Sequence, residues 1–411
     1  MSTLNTPLTL PCGAILKNRL VKAAMTERIS NTNFEPTLGH ELLYSNWSKT
    51  GAGLLITGNV IIDRKHLESA GNVVFDNKQM LPVLRSWAES SKINNNHIWV
   101  QISHAGRQTN IFGTRRPLAP SEVQLKKLGL FGKPKAMTYK DIKEVIDGFV
   151  KAASLAKEAG FTGIQIHSAH GYLLSQFLSP RTNTRTDKWG GSLENRSRLL
   201  LSIIRETRKV VGNKFPISVK LNSADFQKGG FTEEESLEVV KMLDNEGIDL
   251  LEISGGTYEK VAFFLLNDDE QAEKEVKEST RRREAYFIDF AKKVRQVSSV
   301  PLMITGGFRS FEFCNDVLLN GEVDLIGMAR PFITNREDIP QFLEGEIQHL
   351  ENKVLRTGIA QFEDAAEGGF YARQIIRFSK GKPFKLNMSP LWCSMFLVLY
   401  ELRKAMGKKF V

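Results

Sequence analysis

Eight short apolar runs constrain this chain more than any other feature. They cover residues 20–25, 53–61, 98–103, 163–167, 216–221, 249–253, 301–305 and 324–328. Each is nearly continuous in Val, Ile and Leu, as strands buried on both faces are. Between them, apolar residues recur at helical spacing over 41–50, 141–159, 193–211, 232–245, 281–297 and 311–319. Thr232 with Glu235 makes a capping box, and Gly160, Gly212, Gly247 and Gly321 stand where helices should stop. Eight strands alternating with helices predict an α/β chain folded as a (β/α)8 TIM barrel. The competing doubly wound sheet places GxGxxG after its first strand, whereas the GxG at Gly51 and Gly53 precedes a strand. Residues 8–15, with Pro11 and Gly13, read as an N-terminal hairpin. The barrel is expected over 1–345, followed by a C-terminal helical, basic extension over 346–411.

Composition narrows the function classes. With 41% hydrophobic and 25% charged residues the chain is globular. No run approaches the ~20 apolar residues of a membrane span. The N-terminus lacks the basic start and apolar core of a signal peptide. Cys12, Cys314 and Cys393 lie too far apart for a disulfide framework or a metal cluster, so a reducing, cytoplasmic setting is expected. Net charge is +10, but seven basic residues and one acid from Lys380 onward carry over half of it. The body is near balance and has no basic stripe, so no nucleic-acid partner is expected.

In a barrel the C-terminal strand ends share one mouth, and the unusual residues fall there. Thr26 ends the first run, Gly58 comes late in the second, and Gln101 and His104 close the third. His167 ends the fourth and Lys220 lies near the end of the fifth. Gly306–Gly307 follow the seventh and Arg330 the eighth. Long connections over 105–138, 168–192 and 255–280 would line the same mouth. Gly306–Gly307 with Ala329–Arg330 suit the usual barrel phosphate site; the plainer reading is turn glycines and a surface arginine. A buried Gln101 needs partners, either neighbouring backbone or a ligand's amide edge. Lys220 suits either a developing anion or a Schiff base as in aldolases, and the residues alone leave both open. His167 and His170 lack a third ligand at metal spacing, so no metal is expected; two imidazole donors on an anionic oxygen are. Tyr172 is either a proton donor whose phenolate the site stabilises or a packed aromatic with its hydroxyl on backbone.

Residues 163–198, GIQIHSAHGYLLSQFLSPRTNTRTDKWGGSLENRSR, resemble the longest signature of the Old Yellow Enzyme family of FMN-dependent alkene reductases. The similarity runs from about Leu16 to Leu343. It includes AAMTER from Ala23, VQISHAGRQ from Val100, VKLNSADF from Val219, LEISGGTYE from Leu251, STRRREAYF from Ser279, MITGGFRS from Met303 and LIGMARPFI from Leu325. The resemblance implies bound FMN with NADPH or NADH as reductant. It implies that Ala24, Met25, Thr26, Gly58 and Gln101 line the flavin ring, with Thr26 near the C4 carbonyl. Lys220, where many members have Arg, would sit by the N1–C2 edge. Gly307, Phe308, Ala329 and Arg330 would hold the phosphate. His167 and His170 would bind the oxygen of a small-molecule enone or nitro compound, and Tyr172 would protonate it. Two alternatives stay open: an NAD(P)H oxidase using oxygen, and a low-turnover flavin-binding protein tethered through its tail.

Beyond the resemblance, Ser389 and Pro390 open a helix that runs to Gly407. Docking on the barrel, or on a partner subunit in a homodimer, is the favoured reading. The rival is a weak membrane-surface contact through 389–411. It would put Trp392, Phe396 and Leu397 in lipid and Lys404, Lys408 and Lys409 at anionic headgroups, making the protein peripheral to a membrane.

Overall fold

The computed structural model describes residues 3–111, 113–126, 131–254, 287–351, 355 and 360–407. The expected connection over 255–280, the STRRREAYF motif up to its last residue, and Lys408 and Lys409 lie outside these. Eight parallel strands close on themselves: β1 (Leu20–Lys22), β2 (Leu54–Ile61), β3 (His97–Ser103), β4 (Gly163–Ser168), β5 (Ile217–Asn222), β6 (Leu250–Ser254), β7 (Leu302–Thr305) and β8 (Leu325–Met328). β8 pairs with β1, and β1 with β2, which shuts the ring. All eight coincide with the apolar runs, and their boundaries differ by a residue or two except at β1, which stops at Lys22 rather than Met25. Beyond Lys22 the chain turns away to cross the mouth.

The barrel interior is layered. Its N-terminal end is apolar, formed by Val21, Leu54, Ile56, Trp99, Leu250, Met303 and Leu325. The expected hairpin pairs Leu8–Thr9 with Ile15–Leu16, and Leu10 and Leu16 plug that end. Residues aimed inward higher up are polar, and they build the site described below. One glycine of β4 is fixed by this packing. A Cβ on Gly163 would stand 2.5 Å from the indole nitrogen of Trp99, which is fully buried.

Helices cover the outside: α1 (Leu38–Ser48), α2 (Leu81–Ser90), α3 (Tyr139–Glu158), α4 (Leu193–Val211), α5 (Glu233–Asn245), α6 over 287–297 and α7 (Phe311–Leu319). The Thr232–Glu235 capping box is present in both directions. α2 was not expected from the sequence. It follows a 3-10 turn, carries Pro82 in its first turn and buries Leu81, Leu84, Trp87 and Ala88. Proline at that position costs a helix nothing, because the missing N–H had no intrahelical acceptor.

After the barrel come α8 (Ala360–Phe378) and α9 (Pro390–Met406), packed on each other. Pro390 is the first helical residue as expected, although the Ser389 side chain makes no cap hydrogen bond. α9 is docked on the barrel mouth. The Tyr400 hydroxyl donates to the Arg28 carbonyl (2.7 Å), and Lys404 Nζ donates to the Ser30 carbonyl (2.8 Å). Phe396 is half-buried under the Arg373 guanidinium (5.1 Å). Trp392 stays 63% exposed, on a face shared with Leu391, Met395, Val398 and Leu399. Among the described residues no helix is long and apolar enough to cross a membrane.

Gly163→Ala should destabilise the fold by about 1–3 kcal/mol, the usual cost of forcing a methyl into a packed interior. Urea midpoints check this. Because the clash is with one ring, Trp99→Leu in the same chain should recover part of the loss, a coupling that a merely additive pair would not show.

Candidate active site

The closed parallel order brings every C-terminal strand end to one rim, so the expected residues do converge. Just below the rim lies a polar layer, buried except for the half-buried Thr305. Lys220 Nζ pairs with Glu252 Oε1 at 2.9 Å, with side chains 6% and 0% exposed. The other Glu252 oxygen accepts from Gln165 Nε2 (2.7 Å), and Thr305 Oγ1 donates to Oε1 (2.7 Å). Gln101 Nε2 donates to Gln165 Oε1 (2.6 Å). Gln101 therefore finds a side-chain partner rather than the neighbouring backbone. A Schiff-base lysine presents an uncharged amine; Lys220 is instead half of an ion pair. Glu252 and Gln165 were missed from sequence, although a carboxylate inside the apolar run LLEIS is as anomalous as the lysine in ISVKLN.

His167, His170 and Tyr172 cluster at the rim. The ring centroids of His167 and His170 lie 5.0 Å apart, and those of His167 and Tyr172 4.9 Å apart, both edge-on. A tight turn makes this possible. His170 adopts φ +59°, a left-handed conformation rare outside glycine, and Gly171 follows at +74°. The end of β5 and the 3-10 turn after β3 hold this turn: Asn222 Oδ1 accepts from the His170 N–H (3.1 Å), and Gln108 Nε2 donates to the His170 carbonyl (2.8 Å). The Ala169 N–H donates to His167 Nδ1 (3.2 Å), so the proton of a neutral His167 ring sits on Nε2. His170 Nε2 lies 2.6 Å from Ser254 Oγ at the end of β6.

Electrostatics keep both rings uncharged. Burial, then the neighbouring His170 and the Lys220 ammonium, hold His167 well below the ordinary imidazole range. Burial and Lys220 push His170 down to about 3. Neither joins a metal-like group. Among the described residues the one such group is Asp63, His66 and His104. There, His66 Nδ1 meets Asp63 (2.6 Å) and its Nε2 accepts from the Leu118 N–H (3.0 Å), which leaves the ring no lone pair for a cation. This trio braces the long loop after β3.

The first-strand loop supplies the ring side of the expected cofactor groove. Ala24 and Met25 pack partly buried against the barrel. Thr26 Oγ1 donates to Glu68 Oε2 (2.8 Å), and Glu68 also takes Asn59 Nδ2 (2.6 Å). Gly58 sits in a bulge of β2, where the register against β3 slips between Ile56 and Asn59. A Cβ there would meet Glu27 Oε2 at 2.3 Å and the Met25 carbonyl at 2.4 Å. The glycine is thus what lets residues 25–27 lie flat across the strand.

At the opposite side, Gly306 (φ +116°) and Gly307 (φ +85°) end β7. Phe308 is 2% exposed and stacked on Phe313, so only its backbone can face a ligand. Arg330 follows β8 and is paired with Glu367 of α8. Beside them the Tyr371 hydroxyl is buried with no well-aligned hydrogen bond among the described residues. The donor set fits a phosphate: a glycine pair that leaves backbone room, a guanidinium and a buried hydroxyl without a well-aligned partner. With the amide of Gln101 and the Lys220 ammonium inside the same mouth, the residues present fit FMN.

Known proteins match this chain over most of its length. The sequence profile of the NADH:flavin oxidoreductase / NADH oxidase family matches residues 3–348. The NADH-dependent flavin oxidoreductase iliE of Hypocrea jecorina (strain QM6a) is 36% identical over 351 residues, 80% of this chain and 86% of that one. Its namesake from Neonectria sp. (strain DH2) is also 36% identical, but the chain spans only 45% of that protein's length. Among solved structures, the old yellow enzyme homologue from Zymomonas mobilis superposes with a TM-score of 0.72 at 24% identity, over 85% of this chain and 95% of that one. A 2-naphthoyl-CoA reductase complex does so at 0.75 with 26% identity, over 84% of this chain and 52% of that one. The chain belongs to the NADH:flavin oxidoreductase / NADH oxidase family, that is, to the Old Yellow Enzymes.

Proposed function

We propose that this chain is an FMN-dependent NAD(P)H oxidoreductase that reduces the activated C=C bond of α,β-unsaturated carbonyl or nitro compounds. The observation that carries the reading is the trio of His167, His170 and Tyr172 at one end of the rim, with both imidazoles held neutral. FMN, when bound, supplies hydride uptake from NADPH or NADH and hydride delivery to the alkene. The chain's own residues do the rest. His167 offers an Nε2–H to the substrate oxygen without placing a buried cation beside Lys220. A neutral donor suits an oxygen that is only partly negative at first, and its hydrogen bond strengthens as charge develops there. Tyr172, edge-on to His167, is the group for the α-carbon proton. Relatives named as NADH-dependent and as NADPH dehydrogenases support a nicotinamide reductant of either kind. The similarity to a 2-naphthoyl-CoA reductase in complex with 2-naphthoyl-CoA supports a conjugated substrate.

A second reading has one observation in its favour. The NADH oxidase of Thermoanaerobacter brockii is 34% identical over 345 residues, 83% of this chain and 50% of that one. In that case oxygen is the acceptor, and the His–Tyr trio has no proton to deliver to carbon.

The visible spectrum of the purified protein separates the two readings. A flavin band that bleaches with anaerobic NADPH or NADH and returns on adding an enone is expected. Bleaching that only oxygen reverses would favour the oxidase, and a colourless protein that takes up no FMN would sink both. Tyr172→Phe should slow the alkene step by about 10²–10⁴-fold, the usual reach of a general acid, and leave flavin reduction unchanged. If neither half-reaction moves, Tyr172 is not the donor.

Protonation also ties the site to acid stability. Below pH ~6.5 an unfolded chain takes up protons that the folded His167 and His170 refuse. Their contribution is therefore complete above that pH and is lost on acidification through the window from ~6.5 toward the depressed folded values. His170→Asn should flatten the fall of unfolding free energy between pH 6 and 4.5 by less than ~1.4 kcal/mol per pH unit. Urea titrations across that range check the slope, and an unchanged slope would mean that His170 is charged in the fold.

A further inference from the structure

We infer that the C-terminal extension completes the cofactor's phosphate subsite: the Tyr371 hydroxyl is a phosphate donor, and Glu367 competes with the phosphate for Arg330. The inference rests on the proposed FMN-binding reading and deepens it. The family profile stops at residue 348, so nothing in that likeness assigns α8 a role. Yet α8 lies against the short helix Pro331–Thr334 that directly follows Arg330. Glu367 and Tyr371 are one helical turn apart and share the face turned to it. Glu367 makes a charge-assisted hydrogen bond to an Arg330 terminal nitrogen. The Tyr371 hydroxyl is buried with no well-aligned hydrogen bond; the charged groups acting on it are Arg330, which is within hydrogen-bonding reach, Glu367, and Arg309, which lies two residues beyond Gly307. A buried hydroxyl with no well-aligned partner is costly, and two guanidiniums, Arg330 and Arg309, act on this one, so an anion held by them would meet its proton.

The two side chains act with opposite sign. Tyr371 adds a donor to a dianionic group. Glu367 holds Arg330 in place, but its charge repels the same phosphate. Glutamine at 367 keeps an acceptor for Arg330 and removes the charge.

The test is flavin affinity of the full-length apoprotein, read by quenching of flavin fluorescence, with FMN and with riboflavin, which lacks the phosphate. Tyr371→Phe should weaken FMN about 10-fold, the worth of one hydrogen bond to a charged group, and leave riboflavin unchanged. Glu367→Gln should tighten FMN several-fold, again with riboflavin unchanged. Equal FMN affinity in wild type and Tyr371→Phe would overturn the inference, as would parallel changes in both flavins, which would mark a packing effect. Circular dichroism and urea midpoints confirm that the variants are folded, and Glu367→Gln gives an independent sign. A wild-type protein that binds neither flavin overturns the FMN reading itself, which is a different failure from wild-type binding that the variants do not alter.

Discussion

The buried ion pair between Lys220 and Glu252 is the contact on which the rest of the mouth depends. Each charge loses its water on entering the barrel, and the attraction between them offsets this only if the remaining donors and acceptors are also met. Those of Glu252 are met by Gln165 and Thr305, and Gln165 is in turn held by Gln101. Five strands, β3 to β7, are thereby joined by side chains as well as by their ladders. Removing one partner would leave the other charged and buried, a loss of about 3–5 kcal/mol in comparable cases. A barrel filled entirely with apolar residues would close as well, so this layer serves the mouth rather than the fold.

The pair also adds to the burial that keeps its neighbours uncharged. Lys220 is opposite His167 in the β4–β5 register and is one of the charges that lower both rim histidines. A cation a few ångströms below the imidazoles makes a second or third positive charge expensive, so the rings remain neutral donors. The same cation is available to an anion formed above it. One lysine thus serves both ends of the proposed reaction, provided that Glu252 keeps it in place without neutralising the field at the rim.

Much of this was legible in the chain itself, for physical reasons. Strands buried on both faces must be apolar along their whole length, and the polar exceptions Gln101, His167 and Lys220 then stand out. Glu252 obeys the same rule and could have been read by it. Gln165 is harder, because its meaning lies in the partners it bridges on β3 and β6, and no periodicity encodes which strand faces which across a barrel. α2 escaped because a proline in its first turn resembles a break. The pairing of Arg330 with Glu367 was illegible for a further reason: on a helix an exposed-looking glutamate is ordinary, and only the docking of α8 gives it a partner.

The tail changes how the first-strand loop must be read as well. Thr26 has one hydroxyl proton, and it goes to Glu68. With that bond made, the hydroxyl can accept from a ligand but cannot donate to a carbonyl. What holds Glu68 is therefore part of the site. Arg28 lies 3.5 Å from Glu68 and 3.2 Å from Glu401 of α9, while Glu401 also takes the Ala70 N–H (2.8 Å). Arg28 itself sits at φ +62°, a strained conformation for an arginine, with its carbonyl accepting from the Tyr400 hydroxyl. The chain of contacts from α9 through Arg28 and Glu68 ends at the hydroxyl that would face the flavin ring. An extension that began as a candidate appendage is in contact with both sides of the groove, through α8 at the phosphate side and α9 at the ring side. Whether Thr26 presents a lone pair or a proton is then decided by a charge network that the barrel alone does not contain.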